Sequence, residues 1–396
     1  MLRVVFLSFF ALFYPADFAQ EQQRFLSVVF SYLFFSTIVS IVMLNYNALQ
    51  SELTLDYNER TTLSSVRIFF STASSILCAL LPLQIVDTFA DVRTGYMAMG
   101  AIFGAFFALP FIATVISTRE RPEFQRPPEP FDWRQAFIEP FKMRTFVYTL
   151  LMYLLAFVAM DTVSSIVIYF TKYSLKRGDE TSFVNGTLLV AQVASLPFYV
   201  WLSRRTSKRT GYVVGALIWM VSMMFSFLIT PGAPAFALYL FAAIVGLGTG
   251  GIVVMIYAIF PDIPDVDELK SGQRREGIYS ALVTFMRKMS SAVAIFLVSN
   301  TLALAGYVAP VEQVVDGVTQ LIEQPQSAAF LQALRLIFAF VPIALLALAL
   351  VFALRHPLTQ EVHQRLSRVL AARRNGEPDT AERRQEAESL SRLLIR

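Results

Sequence analysis

Long apolar runs decide what this chain can fold into. Ten stretches are each long enough, or nearly so, to cross a bilayer as a helix of about 20 residues. They lie near 2–15, 25–49, 67–90, 95–117, 146–171, 183–203, 211–230, 234–260, 278–305 and 329–354. Charged residues make up 16% of the chain and hydrophobic residues 56%, and the apolar positions come in blocks rather than at the spacing of a soluble core. The 36 Phe and 15 Tyr suit lipid-facing surfaces and interfacial belts. The expected fold is an all-α polytopic membrane protein.

The loops fix an expected orientation. With the start of the chain inside, 25 Lys and Arg fall in inner loops and the tail, against five outside. Positive-inside bias therefore puts both termini in the cytoplasm of a multi-pass inner (plasma) membrane protein. The formal +4 charge follows from this topology and gives no reason to expect a nucleic-acid partner. The first run resembles a signal peptide in length, but FYPADFAQEQQR follows it without a small-residue cleavage site. It reads as a short membrane helix whose beginning is missing.

Segment 118–145 is Pro-rich and basic and separates four runs from six. The expected organisation is an incomplete N-terminal bundle at 1–117, a cytoplasmic linker at 118–145, a six-helix bundle at 146–354 and a basic tail at 355–396. Within the linker, Phe131, Ile138 and Phe141 suggest a short helix lying on the membrane. The tail carries nine Arg and reads as solvated polar helices held near anionic lipid. Transporters are commonly two six-helix halves related by a repeat, so four plus six suggests two helices fewer at the N-terminus. A monomer is expected.

Polar residues inside the apolar runs carry the chemistry. Lys288 lies about eleven residues, roughly 16 Å, into its helix. A lysine at that depth costs about 3 kcal/mol on insertion scales. Thr284, four residues earlier, shares its face. Arg287 points about 100° away and needs another partner. Asp161 is also near the midplane, where an unpaired carboxylate is protonated or costly. Asp161 and Lys288 are expected to face one cavity and to pair directly or through substrate, with separate local partners as the alternative. Asn45, Tyr46 and Asn47, and Gln192 in the sixth run, offer amide and hydroxyl groups suited to a hydroxyl-rich ligand or to helix-to-helix hydrogen bonds. Asp87 reads as interfacial.

Two loops mix charges of both signs. One contains Asp56, Glu59, Arg60 and Arg67; the other contains Asp262, Asp265, Asp267, Glu268, Lys270, Arg274, Arg275 and Glu276. Such loops can form ion pairs that make and break as an inner gate closes and opens, or can simply be solvated. GLGTGG at 246–251 lacks the strand, helix start and Lys-Ser/Thr of a phosphate cradle, and reads as close helix packing. Cys78 stands alone and is expected to be a buried small hydrophobe, so no disulfide or thiolate metal site is expected. The only histidines, His356 and His363, begin the tail, which excludes an embedded histidine relay. No nucleophile triad, metal cluster or P-loop occurs, so neither an enzyme nor an ATP-driven pump is expected, and no cofactor beyond a coupling ion, Na⁺ or H⁺.

The stretch DIPDVDELKSGQRREGIYSALVTFMRKMSSA resembles the signature of the glycoside–pentoside–hexuronide:cation symporters, the melibiose-permease-like branch of the major facilitator superfamily. NYNALQSELTLDYNERTTLSSVR resembles the family's Pro-Tyr-Asn-Ala-Leu element with its later Asp-Tyr-x-Glu-Arg. The resemblance covers essentially the whole chain, mapped onto the family's third to twelfth helices. It implies a two-bundle transporter working by alternating access, in which Lys288 and Thr284 match the family's lysine and threonine. Departures matter. Asn45 replaces the family proline, Val266 a tyrosine, and Ile41, Val42 and Met43 stand where some members carry an acid. The family's cation-binding acids lie on helices without counterparts here, which leaves Asp161 as the leading carboxylate for coupling. The expected function is cation-coupled transport of a sugar, glycoside or related polar solute. A lysolipid carrier, or a scaffold or sensor that does not transport, are the alternatives.

Overall fold

A computed structural model of the chain describes residues 2–14, 18, 20–118, 132–315, 318–378 and 380–395. Its helices are α1 (Leu2–Phe13), α2 (Glu21–Leu53), α3 (Tyr57–Asp87), α4 (Val92–Ser117), α5 (Trp133–Phe137), α6 (Arg144–Tyr169), α7 (Thr181–Arg205), α8 (Lys208–Phe225), α9 (Ala235–Ile259), α10 (Ile263–Ser271), α11 (Glu276–Leu304), α12 (Ala328–Arg355), α13 (Gln360–Arg374) and α14 (Ala381–Leu394). One antiparallel hairpin, β1 (Val311–Val315) with β2 (Val318–Ile322), joins α11 to α12, with Val311 opposite Ile322.

Nine helices among the described residues are long and apolar enough to cross a membrane. The tenth expected span, at 2–15, is a helix of only 12 residues, about 18 Å long against a hydrocarbon core of about 30 Å. Lipid supplies no hydrogen bonds, so every backbone group must be satisfied within a helix, which is why these runs are helical despite Pro82, Pro110, Pro197 and Pro342 inside them. Polar caps set several starts: Asp56 for α3, Asp91 for α4, Ser207 for α8 and Ser327 for α12 each accept backbone N–H bonds of the first turn.

The helices fall into two groups. α1 packs on α2 and α4, and α3 on α4; α6 packs on α11 and α12, and α8 and α7 both pack on α9. The groups meet where α3 lies against α7 and α9 and where α2 lies against α11. The large buried core belongs to the second group, while the first has a small cluster of Val86, Met99 and Phe103. The glycines at 246–251 let α9 sit against its neighbours: a Cβ on Gly248 would meet the Trp219 backbone nitrogen at 2.7 Å, and one on Gly215 the Gly248 carbonyl at 2.8 Å. Cys78 is exposed on the outer face of α3, which corrects the expectation of a buried thiol. Apolar surface is favourable when its solvent is hydrocarbon, so this small side chain needs no protein cover.

The tail differs from expectation, whereas the described part of the linker carries a short surface helix. Phe131 lies outside the described residues. Beyond it, α5 and a short 3₁₀ turn (Pro140–Lys142) carry Trp133, Phe137, Ile138 and Phe141 on the surface. Glu139 accepts from Lys142 at 2.6 Å and from Lys270 of α10 at 2.8 Å, and these two ammonium groups hold its carboxyl down at about 2. The tail is not a solvated segment. α13 buries Leu366, Val369 and Leu370, and α14 buries Leu390 and Leu394. Apolar positions three and four residues apart give each helix one sticky face. Arg365 joins the two helices through Glu386 at 2.6 Å, Arg373 donates to the Leu269 carbonyl at 3.2 Å, and Thr145 of α6 donates to the Leu394 carbonyl at 2.7 Å.

His356 links tail and bundle. It is buried, with its Nε2 2.8 Å from the Thr149 hydroxyl of α6. Burial pushes its pKa from 6.5 down to about 4; Asp262 opposes the shift and Arg209 adds to it. Folding therefore favours the neutral ring. The contribution is complete above pH 6.5 and is lost as pH falls from 6.5 toward 4, where the unfolded chain alone takes the proton. The loss amounts to roughly 3 kcal/mol. His356→Gln is expected to flatten the fall in melting temperature across that window. An unchanged slope would place the acid sensitivity elsewhere.

Candidate functional site

At the end of the bundle that carries the 51–60, 203–210 and 261–276 segments, charges are buried rather than solvated. Two local features aim them. Asp56 caps α3, so Arg60 projects from its first turn. Pro261 and Pro264 break the run of α9 into a 3₁₀ turn (Phe260–Asp262) and then α10, which brings Asp262 and Asp265 onto one side. Gly272, at φ +70°, ends α10 and returns the chain to α11.

Arg60 is fully buried. Its guanidinium lies 2.8 Å from Asp262 and 2.6 Å from Asp265, and it also donates to the Thr54 and Ser51 carbonyls at 3.0 and 3.3 Å. Lys208 reaches the other Asp262 oxygen at 2.7 Å and lies over the Tyr57 ring at 3.8 Å. Arg274 pairs with Asp265 at 2.9 Å and with Glu276, and donates to the Ser51 carbonyl at 2.9 Å. Arg275 grips Asp267 with two bonds of 2.7 and 2.5 Å, and Arg374 of α13 grips Glu268. His363 of α13 stands 3.3 Å from Asp265 and 3.5 Å from Arg60. Arg60 and Arg274 tie the two helix groups together, and α13 closes over the pair. Asp262, Asp265 and His363 could offer three metal ligands within 4.8 Å of one another. Arg60, Lys208 and Arg274 already pair with these two carboxylates, so the donor set suits ion pairs better than a metal.

One layer deeper, the groups meet along a polar seam. Arg67 of α3 donates to Asn47 at 2.6 Å and to Gln50 at 2.7 Å, both on α2, and lies between the Tyr46 and Tyr257 rings at 5.0 and 4.9 Å. Asn47 in turn donates to Thr284 of α11 at 3.4 Å. Gln50 donates to Ser64 at 2.7 Å, and Ser64 to the Tyr257 carbonyl at 3.0 Å. Asn47, Gln50, Arg67, Tyr257 and Ser280 line a constriction of about 20 Å³, room for one water.

Further along, Asp161 and Arg287 form a two-bonded pair at 2.6 and 2.9 Å, and Arg287 lies 4.9 Å from the centre of the Phe157 ring. Lys288 turns away, donating to Ser40 at 2.7 Å and Ser36 at 3.3 Å on α2. This corrects the expected Asp161–Lys288 pair. The 100° between consecutive helix residues sends the forked guanidinium to the carboxylate and the ammonium to the hydroxyls.

The other expected residues are distributed as follows. Arg67 belongs to the seam and not to the charged end, two turns along α3 from Arg60. Asp56 serves as a cap, and Glu59 accepts from Thr54; neither reaches the 262–276 segment. Asn45 is exposed and donates to its own helix at the Ile41 carbonyl. Tyr46 packs edge-on against Phe111. Gln192 is buried where α7 meets Gly250 of α9, away from the seam. Sequence reasoning missed Gln50, Ser64, Tyr257, Lys208 and His363. Lys208 and His363 read as loop and tail residues, and only their burial distinguishes them.

Residues 3–360 match the family described as MFS/sugar transport protein. The chain is 30% identical over 237 residues to an uncharacterized symporter of Synechocystis sp., covering 59% of this chain and 42% of that protein. It is 25% identical over 332 residues to the isoprimeverose transporter of Lactiplantibacillus pentosus (81% and 66%), and 26% identical over 304 residues to a putative sulfoquinovose importer of Escherichia coli (74% and 63%). The chain thus spans 42%, 66% and 63% of the lengths of these relatives. Among solved structures, a bacterial homologue of the iron transporter ferroportin in an outward-facing state shares the fold with a TM-score of 0.62 at 14% identity, over 90% of this chain and 81% of that one. The major facilitator superfamily transporter FucP in its outward conformation does so with a TM-score of 0.62 at 12% identity, over 90% and 82%. With an all-α, two-group fold and a family match across nine-tenths of its length, the chain belongs to the MFS/sugar transport protein family.

Proposed function

We propose that this chain forms the body of a secondary transporter that moves a sugar or related polar solute by alternating access. The observation that carries the reading is Arg60. A fully buried cation on one helix group holds two carboxylates of the other, at a position where separation of the groups would open a path. In this reading the Arg60–Asp262–Asp265 cluster, with Arg274 and Arg275, is the cytoplasmic gate in its shut state. The seam of Asn47, Gln50, Arg67 and Thr284 lies on the solute path behind it, and the groups rock about the Asp161–Arg287 level. Relatives named for isoprimeverose and sulfoquinovose support a sugar-like solute. Transport is coupled to a Na⁺ or H⁺ gradient in this proposal, with Asp161, once released by Arg287, as the coupling carboxylate.

Uptake of labelled sugars into proteoliposomes, with and without each gradient, tests the reading. Gradient-dependent accumulation is expected. Equal, non-accumulating entry under every gradient would remove the coupling, and no entry at all would remove the transport function. Within the same assay, Asp161→Asn combined with Arg287→Gln is expected to be non-additive by about 1–3 kcal/mol. Asp161→Asn combined with Lys288→Ala should be additive. The reverse pattern would restore the pairing that the geometry contradicts.

A further inference from the structure

Among the described residues of the charged cluster, Arg60 alone comes from the first helix group. Five carboxylates, Asp262, Asp265, Asp267, Glu268 and Glu276, meet five cations, Arg60, Lys208, Arg274, Arg275 and Arg374. All but Arg60 belong to the second group or to α13, which Arg374 and Arg373 tie to α10. The cluster is therefore neutral while the groups touch. Separating them takes one positive charge away and leaves the second side one cation short.

His363 of α13 is placed to answer that loss, because it is buried against both sides of the gate. From α3 come the Arg60 guanidinium, 3.5 Å from Nε2, and the Tyr57 ring, 5.3 Å from the imidazole. From the turn before α10 and from α10 itself come Asp262 at 3.7 Å and Asp265 at 3.3 Å, which Lys208 and Arg274 also hold. On its own helix the Ser367 hydroxyl lies 3.4 Å from Nδ1. With one ring proton on Nδ1 and shared with Ser367, the Nε2 lone pair accepts from Arg60. A second ring proton would face the guanidinium. Once Arg60 withdraws, the lone pair is left against the Asp265 oxygen and water reaches the ring. Both changes favour a proton on Nε2.

We propose that His363 is a proton-binding site of the gate, neutral while the gate is shut and protonated from the cytoplasm as it opens. The proton bonds to Nε2, and the imidazolium takes the place of Arg60 beside Asp265. On closure the proton returns to the cytoplasm, so it drives no uphill transport and is distinct from a coupling ion. The sign follows from linkage: the open state holds one proton more than the shut state, so a fall in cytoplasmic pH favours opening. His356 does not interfere, because burial keeps it neutral down toward about pH 4. The proposal rests on the gate reading of the Arg60 cluster and adds what controls it.

Distances between spin labels test it with no solute present. The labels sit on cysteines introduced at Leu53 of α2 and Thr206 beyond α7, both exposed, in a Cys78→Ser background. Lowering the pH from about 8 to about 5.5 is expected to raise the ratio of long to short distances about tenfold, as a difference of about one unit in proton affinity between the two states implies. His363→Gln, which keeps an acceptor for Arg60, should lose most of that response. Arg60→Gln should show the long distance at every pH. A wild-type ratio that stays constant or falls with acid would overturn the proposal, as would an undiminished response in His363→Gln; both results leave the gate itself standing. Arg60→Gln held at the short distance would remove the gate reading and this proposal with it. The wild-type series needs no substitution in the cluster, so its sign tests the proposal even where a variant does not fold.

Discussion

Arg60→Ala is expected to cost about 3–5 kcal/mol, the largest effect of any single charge removal in the protein. The reason is what remains behind. Asp262 and Asp265 are both buried, at 1% and 3% exposure. Lys208 and Arg274 would each still hold one oxygen, but the carboxylates would lose the cation that bridges them. The Thr54 and Ser51 carbonyls would lose a donor as well. Arg60→Lys keeps the charge but not the fork, and should fall between the two. Two readouts separate stability from gating. Melting temperature in detergent reports the first. For the second, a cysteine at Ser280, which lines the constriction, is labelled with a membrane-impermeant thiol reagent after Cys78 has been replaced by serine. Arg60→Ala should raise the labelling rate at least about tenfold if opening gains 1.4 kcal/mol or more. A variant that loses stability but labels at the original rate would make the cluster a structural rivet rather than a gate.

Gly246→Val is the second large effect. A Cβ at this position would fall on the Leu188 carbonyl oxygen of α7, inside contact distance, and would also press on Ala191 at 2.9 Å. The obstacle is backbone, so α7 and α9 must move apart along one of the most extensive helix contacts in the protein. Overpacking of this kind costs about 1–3 kcal/mol and often more when no rotamer can yield. Loss of a monodisperse species on gel filtration is the expected result. Two controls fix the interpretation. At Gly250 an added methyl meets the Ser195 hydroxyl, which can rotate away, and the Gln192 carbonyl oxygen at 2.9 Å, a smaller backbone overlap than at Gly246, so Gly250→Ala should be milder. At Gly186 nothing lies within 4 Å, and Gly186→Ala should be neutral or stabilising by up to about 1 kcal/mol. Equal damage at all three sites would mean that flexibility, and not close approach, explains the glycines.

The helices were legible because a bilayer leaves the backbone few options, and apolar length then nearly dictates each element. The charged loops were legible as a pair because their signs complement each other. Which residue meets which was less accessible. On α11, Arg287 and Lys288 are neighbours in sequence, and only the rotation of the helix against α6 and α2 decides which one reaches Asp161. Nothing in the local pattern encodes that rotation. Arg67 shows the same limit along the axis: it follows Arg60 by seven residues, and two turns of helix carry it from the charged end to the seam. The docked tail is a different case. Leu366, Val369 and Leu370, and Leu390 with Leu394, have helical spacing in the sequence. Their abundant arginines concealed it, because three of these, Arg374, Arg365 and Arg373, are spent on Glu268, Glu386 and the Leu269 carbonyl rather than on solvent.

The bond from Thr145 to the Leu394 carbonyl spans 249 residues. A ribosome adds about 5–20 residues per second, so the start of α6 waits roughly 12–50 s for its partner to be made. The neighbouring bond from the Arg144 amide to the Ile395 carbonyl waits equally long. Membrane insertion of the helices therefore runs ahead of the closure of their charged end, which α14 completes only after every helix from α6 to α12 has been made.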